Sequence, residues 1–389
     1  MWRAKTAHDA PHTGSTFKNL AQTIHEWRQA MRKSLAAPLA AASLCSFAMT
    51  AQAQSSVTMY GIVDAGLTYV NNSNGHAAWL TDTGVQQGNR LGFKGTEDLG
   101  GGLKALFVLE SGFNLSTGAM NNGGIFGRQA YVGLSNSYGT LTMGHQYDFM
   151  GDVIGNYSIA YVAGVYAFHQ GDYDRISGDR LDNTIKFVSK SFGGLTAGGM
   201  YSFGNVAGDF RKNSAMSFGL TYDQGSLSLG AAYTGINNFR INPTGDLGVS
   251  TLFGQPLSGT AFVADSMKTW GLGGSYSFGK FGVMANYTGT RIAYQGNAAT
   301  LTSVEGSLLY HFTPALVGGA GYTWSKLENS HWGQTAIGLD YSLSKRTDVY
   351  AEANYQQASG DGTQAVVLTL PTSSTNKQLA MRIGMRHRF

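Results

Sequence analysis

A two-residue rhythm of apolar and polar side chains, repeated in segments of about ten residues, leaves this chain few folds to adopt. The rhythm is plainest at the end. In MRIGMRHRF, Met381, Ile383, Met385, His387 and Phe389 share one face, and Arg382, Gly384, Arg386 and Arg388 share the other. An early segment, SVTMYGIVDAGLTYV, puts Val57, Met59, Gly61, Val63 and Ala65 opposite Thr58, Tyr60, Ile62 and Asp64. Further strands are predicted near 88–97, 102–113, 126–135, 138–147, 181–190, 194–203, 213–223, 226–235, 268–278, 281–290, 302–311, 315–324, 331–343, 347–357 and 377–389, sixteen in all with the first. Short connections such as Leu99–Gly102, Ser137–Gly139 and Ser344–Arg346 alternate with long polar ones near 70–87, 114–125, 148–179, 236–267 and 358–376. An even number of strands with short turns at one end and long loops at the other is the pattern of a closed antiparallel barrel that spans a membrane.

Composition narrows the choice in the same direction. Charged residues are 13% of the chain, roughly half the share usual in soluble domains. Past residue 53 no run of about 20 apolar residues could form a spanning helix. The segment MRKSLAAPLAAASLCSFAMTAQA, residues 31–53, reads as a secretory signal peptide, with Arg32 and Lys33 before an apolar stretch and Ala51 and Ala53 at the cleavage site. Residues 1–30 read as an upstream extension produced by the choice of start codon, and 54–389 as a single barrel domain of 336 residues, or 21 per strand with its connection. Cys45 falls in the leader, so a mature chain carries no cysteine and needs no disulfide chemistry in an oxidising compartment. Residues 1–53 also hold six bases and two acids, and their removal leaves 21 of each. That balance argues against a nucleic-acid partner. There is no G-x-S-x-G elbow, H-E-x-x-H pair or metal-ligand spacing, so neither an enzyme nor a cofactor is expected. Aromatic pairs near strand ends, such as Tyr60 with Tyr69, Tyr276 with Phe278 and Tyr341 with Tyr350, read as interfacial girdles.

Six ordered blocks resemble the general porins of Gram-negative bacteria, in particular the branch typical of β-proteobacteria. They are SSVTMYGIVDAGLTYV, NRLGFKGTEDLGGGLKALFVLESGF, RQAYVGLSNSYGTLTMGHQ, GDRLDNTIKFVSKSFGGLTAGGMYSFG, LDYSLSKRTDVY and MRHRF, together spanning Ser55 to Phe389. The resemblance implies a homotrimer of 16-stranded all-β barrels in the outer membrane, in contact with lipid and lipopolysaccharide. Each barrel would pass small hydrophilic solutes and ions by diffusion, with the third loop folded inward. A substrate-selective pore for an organic anion or a sugar is the alternative. Phe389 would belong to the signal read by the barrel-assembly machinery.

A filter needs opposite charges across a narrow aqueous neck. By the resemblance, Arg90, Arg128 and Arg180 match the arginines of the constriction, and Lys94, on the face of Arg90, extends their basic stripe. The loop 148–179 corresponds to the infolded segment, and Asp152, Asp172 and Asp174 are its candidate acids. The loop lacks the proline that family members often carry at its tip. His145 stands where those porins commonly have arginine, and as a possible pore-lining residue it predicts a mild pH dependence of conductance. Glu110 is expected to serve in pairing or loop anchoring, and Asp64 is a candidate partner for the arginines of the last strand.

Overall fold

The computed structural model describes residues 56–389 apart from Ser258, Thr260 and Asp361. The leader and the upstream extension lie outside the described residues. The strands are β1 (Ser56–Ser73), β2 (His76–Thr83), β3 (Arg90–Gly100), β4 (Leu103–Phe113), β5 (Met120–Asn121), β6 (Gln129–Ser135), β7 (Gly139–Tyr147), β8 (Arg180–Ser189), β9 (Leu195–Ser202) and β10 (Ala215–Gln224). They continue as β11 (Leu227–Ile241), β12 (Thr251–Leu252), β13 (Gln255–Pro256), β14 (Phe262–Phe278), β15 (Phe281–Tyr294), β16 (Asn297–His311), β17 (Leu316–Leu327), β18 (Ser330–Ser342), β19 (Thr347–Ser359) and β20 (Lys377–Arg388).

Closure is made by the first and last strands. β1 pairs with β20 from Ile62↔Arg388 to Val70↔Ala380, and Gly61 and Phe389 exchange both backbone hydrogen bonds at 3.0 Å. On its other edge β1 pairs with β3 along Ser56–Ile62 and with β2 from Ala65 to Ser73. β2 and β3 are therefore two halves of one wall strand, interrupted at 84–89. β5 only extends a hairpin of β4, and β12 with β13 forms a separate ribbon. What remains is a closed antiparallel barrel of sixteen wall strands. Every ladder group in such a wall has a neighbour, as a lipid-facing sheet requires.

The sixteen predicted strands correspond to these wall strands, with differences at the long-loop end. β11, β14, β15 and β16 run several residues beyond the predicted limits, and β2 lies within what reads as loop 70–87. There the backbone ladder continues after apolar alternation has stopped, so the side chains carry no signal of it. The outer face bears Met59, Val132 and Ile383, each about 60% exposed, which suits lipid contact. Tyr276, Phe278, Phe281, Tyr310 and Phe312 form a chain of ring contacts with centroids 4.8–6.2 Å apart. Tyr60 and Tyr350 do not join a girdle. They lie on the polar face, donating to Glu110 and Asp64 at 2.9 and 2.8 Å.

The long connection between β7 and β8 carries much of the apolar core. Asp148 caps the short helix Phe149–Val153, accepting from the amides of Met150 and Gly151. The segment then docks its side chains onto wall glycines. Phe149 covers Gly198 and Gly219, Tyr157 covers Gly230 and Gly273, Ile159 covers Gly319 and Gly321, and Val162 covers Gly338. A Cβ at Gly338 would collide with the carbonyl of Val162. These glycines form a trough across β9 to β18, which accounts for part of a total of 54. Polar side chains complete the seat: Asn286 donates to the Tyr157 carbonyl at 3.0 Å and Gln334 to that of Tyr166 at 2.9 Å.

Candidate pore constriction

Three arginines converge from the starts of alternate wall strands. Arg90 opens β3, Arg128 immediately precedes β6 and Arg180 opens β8. The Nε of Arg128 donates to Glu110 at 2.8 Å, and Glu110 also accepts from Tyr60. One terminal nitrogen of Arg128 and one of Arg180 each donate to the hydroxyl of Tyr147, both at 2.6 Å. The Arg180 guanidinium also lies 4.4 Å from the Tyr147 ring centroid, a cation–π contact. Arg90 is steered by the Gly88 carbonyl, which accepts from its Nε at 3.0 Å.

Gly88, Arg90, Arg128, Tyr147 and Arg180 line a cavity of about 960 Å³. Across it stand Gly151, Asp152, Asn156, Tyr161, Val165 and Ser177 from the β7–β8 connection. The cavity also reaches Asp340, Asp348, Arg386 and Arg388, which form a network: Arg386 contacts Asp340 and Asp348 at 3.0 and 3.1 Å, and Arg388 contacts Asp348 at 2.7 Å. Arg382, next along the inward row, pairs with Asp64 at 3.3 Å, the partnership expected from the sequence.

The three loop acids part company. Asp152 lines the cavity but is paired with Lys186 of β8 at 2.5 Å. Asp172 turns back on its own segment, accepting from the amide and hydroxyl of Ser177, and is not part of the cavity lining. Asp174 is 3% exposed and sits behind the segment, so it does not face the cavity. Its carboxylate accepts from Thr288 at 2.6 Å and lies 2.6 Å from Nδ1 of His169. The other ring nitrogen of His169 lies 3.1 Å from Glu305, which also accepts from Ser158 and from the Ile159 amide.

With a carboxylate oxygen at each ring nitrogen, His169 is held as the imidazolium. Burial alone would lower its pKa, but Asp174 and Glu305 outweigh burial and push it up to about 10. Its contribution to anchoring the segment is full below the ordinary imidazole value of 6.5 and is lost as pH rises through about 10. Protease susceptibility of the 148–179 segment should therefore be lowest below about pH 6.5, rise in an alkaline step as pH increases towards about 10, and level off beyond it. In His169→Gln that alkaline step should vanish; a step of the same size in both proteins would refute the assignment.

Two further expected residues are not in the cavity wall. Lys94 is exposed, with its Nζ 5.4 Å from the Tyr60 ring centroid, four residues along β3 from Arg90. His145 is opposite Ala130 and two residues from Met143, which pairs with Val132 on the apolar face. It contacts Asp182 at 2.5 Å and the Gly127 carbonyl at 3.0 Å. The expected pH-sensitive neck thus finds no support in its position. Tyr147 and Lys186 were absent from the residues predicted for the neck. Lys186 could have been found from alternation with Thr184, but Tyr147 follows a break in pairing between Gly144 and Gln146 that alternation does not reveal.

A closed strand wall with an apolar exterior, enclosing a charged cavity, defines a β-barrel membrane channel. This chain belongs to the Gram-negative porin family, whose profile matches residues 40–361. It is 30% identical to an outer membrane porin protein of Bordetella pertussis, over 92% of this chain and all of that one. Outer membrane porin protein 32 of Delftia acidovorans is also 30% identical, with the same coverage. Among solved structures, the anion-selective porin from Comamonas acidovorans superposes with a TM-score of 0.71 at 25% identity, covering 86% of this chain and 100% of that one. OmpT of Vibrio cholerae, at 15% identity and a TM-score of 0.63 over 86% of this chain and 98% of its own, shares the fold. The protein is an outer-membrane porin.

Proposed function

We propose that this porin is a passive diffusion channel with a preference for small anions, and that its neck lies between the Arg90, Arg128 and Arg180 cluster and the 148–179 segment. Contact between that segment and the polar faces of strands on both sides of the barrel supports an inward fold. Carrying the reading is the charge at the neck. Three guanidiniums meet one paired carboxylate, Glu110, while Asp152 is matched by Lys186 and the Asp340 and Asp348 acids by Arg386 and Arg388. The excess is positive. A fixed positive patch in a narrow aqueous passage raises the local concentration of anions and lowers that of cations. The similar porin from Comamonas acidovorans is described as anion-selective, which agrees with this reading.

Assembly as a homotrimer embedded in lipid and lipopolysaccharide belongs to the same proposal, as does recognition of Phe389 by the barrel-assembly machinery. No reaction step is involved. The test is the reversal potential of purified protein in a planar bilayer under a potassium chloride gradient. Its sign should report chloride as the more permeant ion, and a potassium preference would refute the anion assignment.

A further inference from the structure

Tyr147 occupies an unusual position in the arginine cluster. Its hydroxyl accepts from both Arg128 and Arg180 at 2.6 Å, which keeps two like-charged nitrogens within about 5 Å of each other. Left to themselves in water, such groups would separate. The Nε of Arg180 is buried without a hydrogen-bond partner, so the head of this side chain is fixed by the Tyr147 hydroxyl and ring. Arg128 is fixed at its other end by Glu110. The tyrosine itself is tied down, because its carbonyl accepts from Lys186 Nζ at 2.7 Å. Just before it, pairing is irregular between Gly144 and Gln146, and Gly144 has a φ of +143° with a Cβ there colliding with the Ala130 carbonyl. That break releases Tyr147 from the face of Met143 and His145 and lets it reach the cavity, where it pairs in register with Arg180.

We propose that Tyr147 is a positioning and specificity-determining residue, which holds Arg128 and Arg180 side by side as a two-pronged receptor for small divalent oxyanions. The inference rests on the anion-preferring neck proposed above and goes beyond it. Loose arginines would attract any anion by charge alone, in proportion to the local field. Two guanidiniums at fixed spacing can each donate to a different oxygen of one dianion, and their geometry is set before the anion arrives. A chloride ion is a single atom, with no pair of oxygens to use that spacing. The tyrosine therefore separates attraction, which depends on charge, from discrimination, which depends on position.

The experiment compares wild-type protein with Tyr147→Phe, which removes the shared acceptor and leaves every charge in place. Heat-dependent electrophoretic mobility checks that the variant forms the barrel. Potassium sulfate is titrated against chloride current at matched ionic strength, and reversal potential is measured in a chloride gradient. The sulfate concentration that halves the chloride current should rise by about tenfold in the variant, the loss of one charge-assisted hydrogen bond, while the chloride-to-potassium ratio shifts by less than about twofold. Unaltered sulfate block overturns the proposal. So does a rise in that concentration matched by an equally large fall of the chloride-to-potassium ratio, which would mean that the hydroxyl merely keeps the wall intact. Failure of the underlying anion reading shows separately, as a potassium preference in the wild-type protein.

Discussion

Replacing Arg90 and Arg180 together by glutamine is expected to lower the chloride-to-potassium permeability ratio by roughly tenfold or more. A unit charge about 7 Å from a passing ion in water is worth about 0.6 kcal/mol, which changes local ion concentration about threefold. It acts in opposite directions on anions and cations, so each charge enters the ratio twice. Two charges give a larger unscreened effect, which salt in the pore reduces. Arg128 is left in place because it is the partner of Glu110, which is 2% exposed and would otherwise be stranded. Reversal potentials in the same gradient measure the ratio. A ratio equal to that of the wild-type protein would exclude the cluster as the source of selectivity and shift attention to the Asp340–Arg386 network.

Glu305→Ala should have the second large effect, on the loop and not on the wall. The Glu305 carboxylate is 1% exposed and accepts from Ser158, the Ile159 amide and Asn286 while facing His169 at 3.1 Å. Its removal leaves a buried imidazolium with one counter-charge where there were two, and several donors without an acceptor, at a cost of about 3–5 kcal/mol. The strands around it pair through backbone groups, so the barrel should still form. Single-channel records should show larger and noisier conductance, and added protease should cut within 148–179. Records and cleavage patterns that match the wild-type protein would show that the segment is held by its apolar seat alone.

The fold was largely legible in the order of residues. Alternation in segments such as MRIGMRHRF assigned each side chain to a face, and it placed Arg382, Arg386 and Arg388 inward, where the structure finds them paired with acids. The same alternation would have set His145 on the face of Met143, away from the cavity, had it been applied in place of analogy to an arginine. β2 was hidden because its HAAWLTDT sequence continues the ladder with mixed side chains. Loop acids were harder to sort. Asp152, Asp172 and Asp174 are alike in the linear chain, and what separates them is contact with Lys186, Ser177 and His169.

Strand number and the direction of each face follow from local pattern, because lipid on one side and water on the other impose a period of two on every spanning segment. Arg90, Arg128 and Arg180, by contrast, are singled out by resemblance to a known family. Which charges are free at the neck does not follow. Neutralisation of Asp152 by Lys186, the clamp of His169 between Asp174 and Glu305, and the shared hydroxyl of Tyr147 join residues from separate strands and the loop. A charge exerts its field according to distance in space, and those distances exist only once the wall has closed and the loop has found its seat.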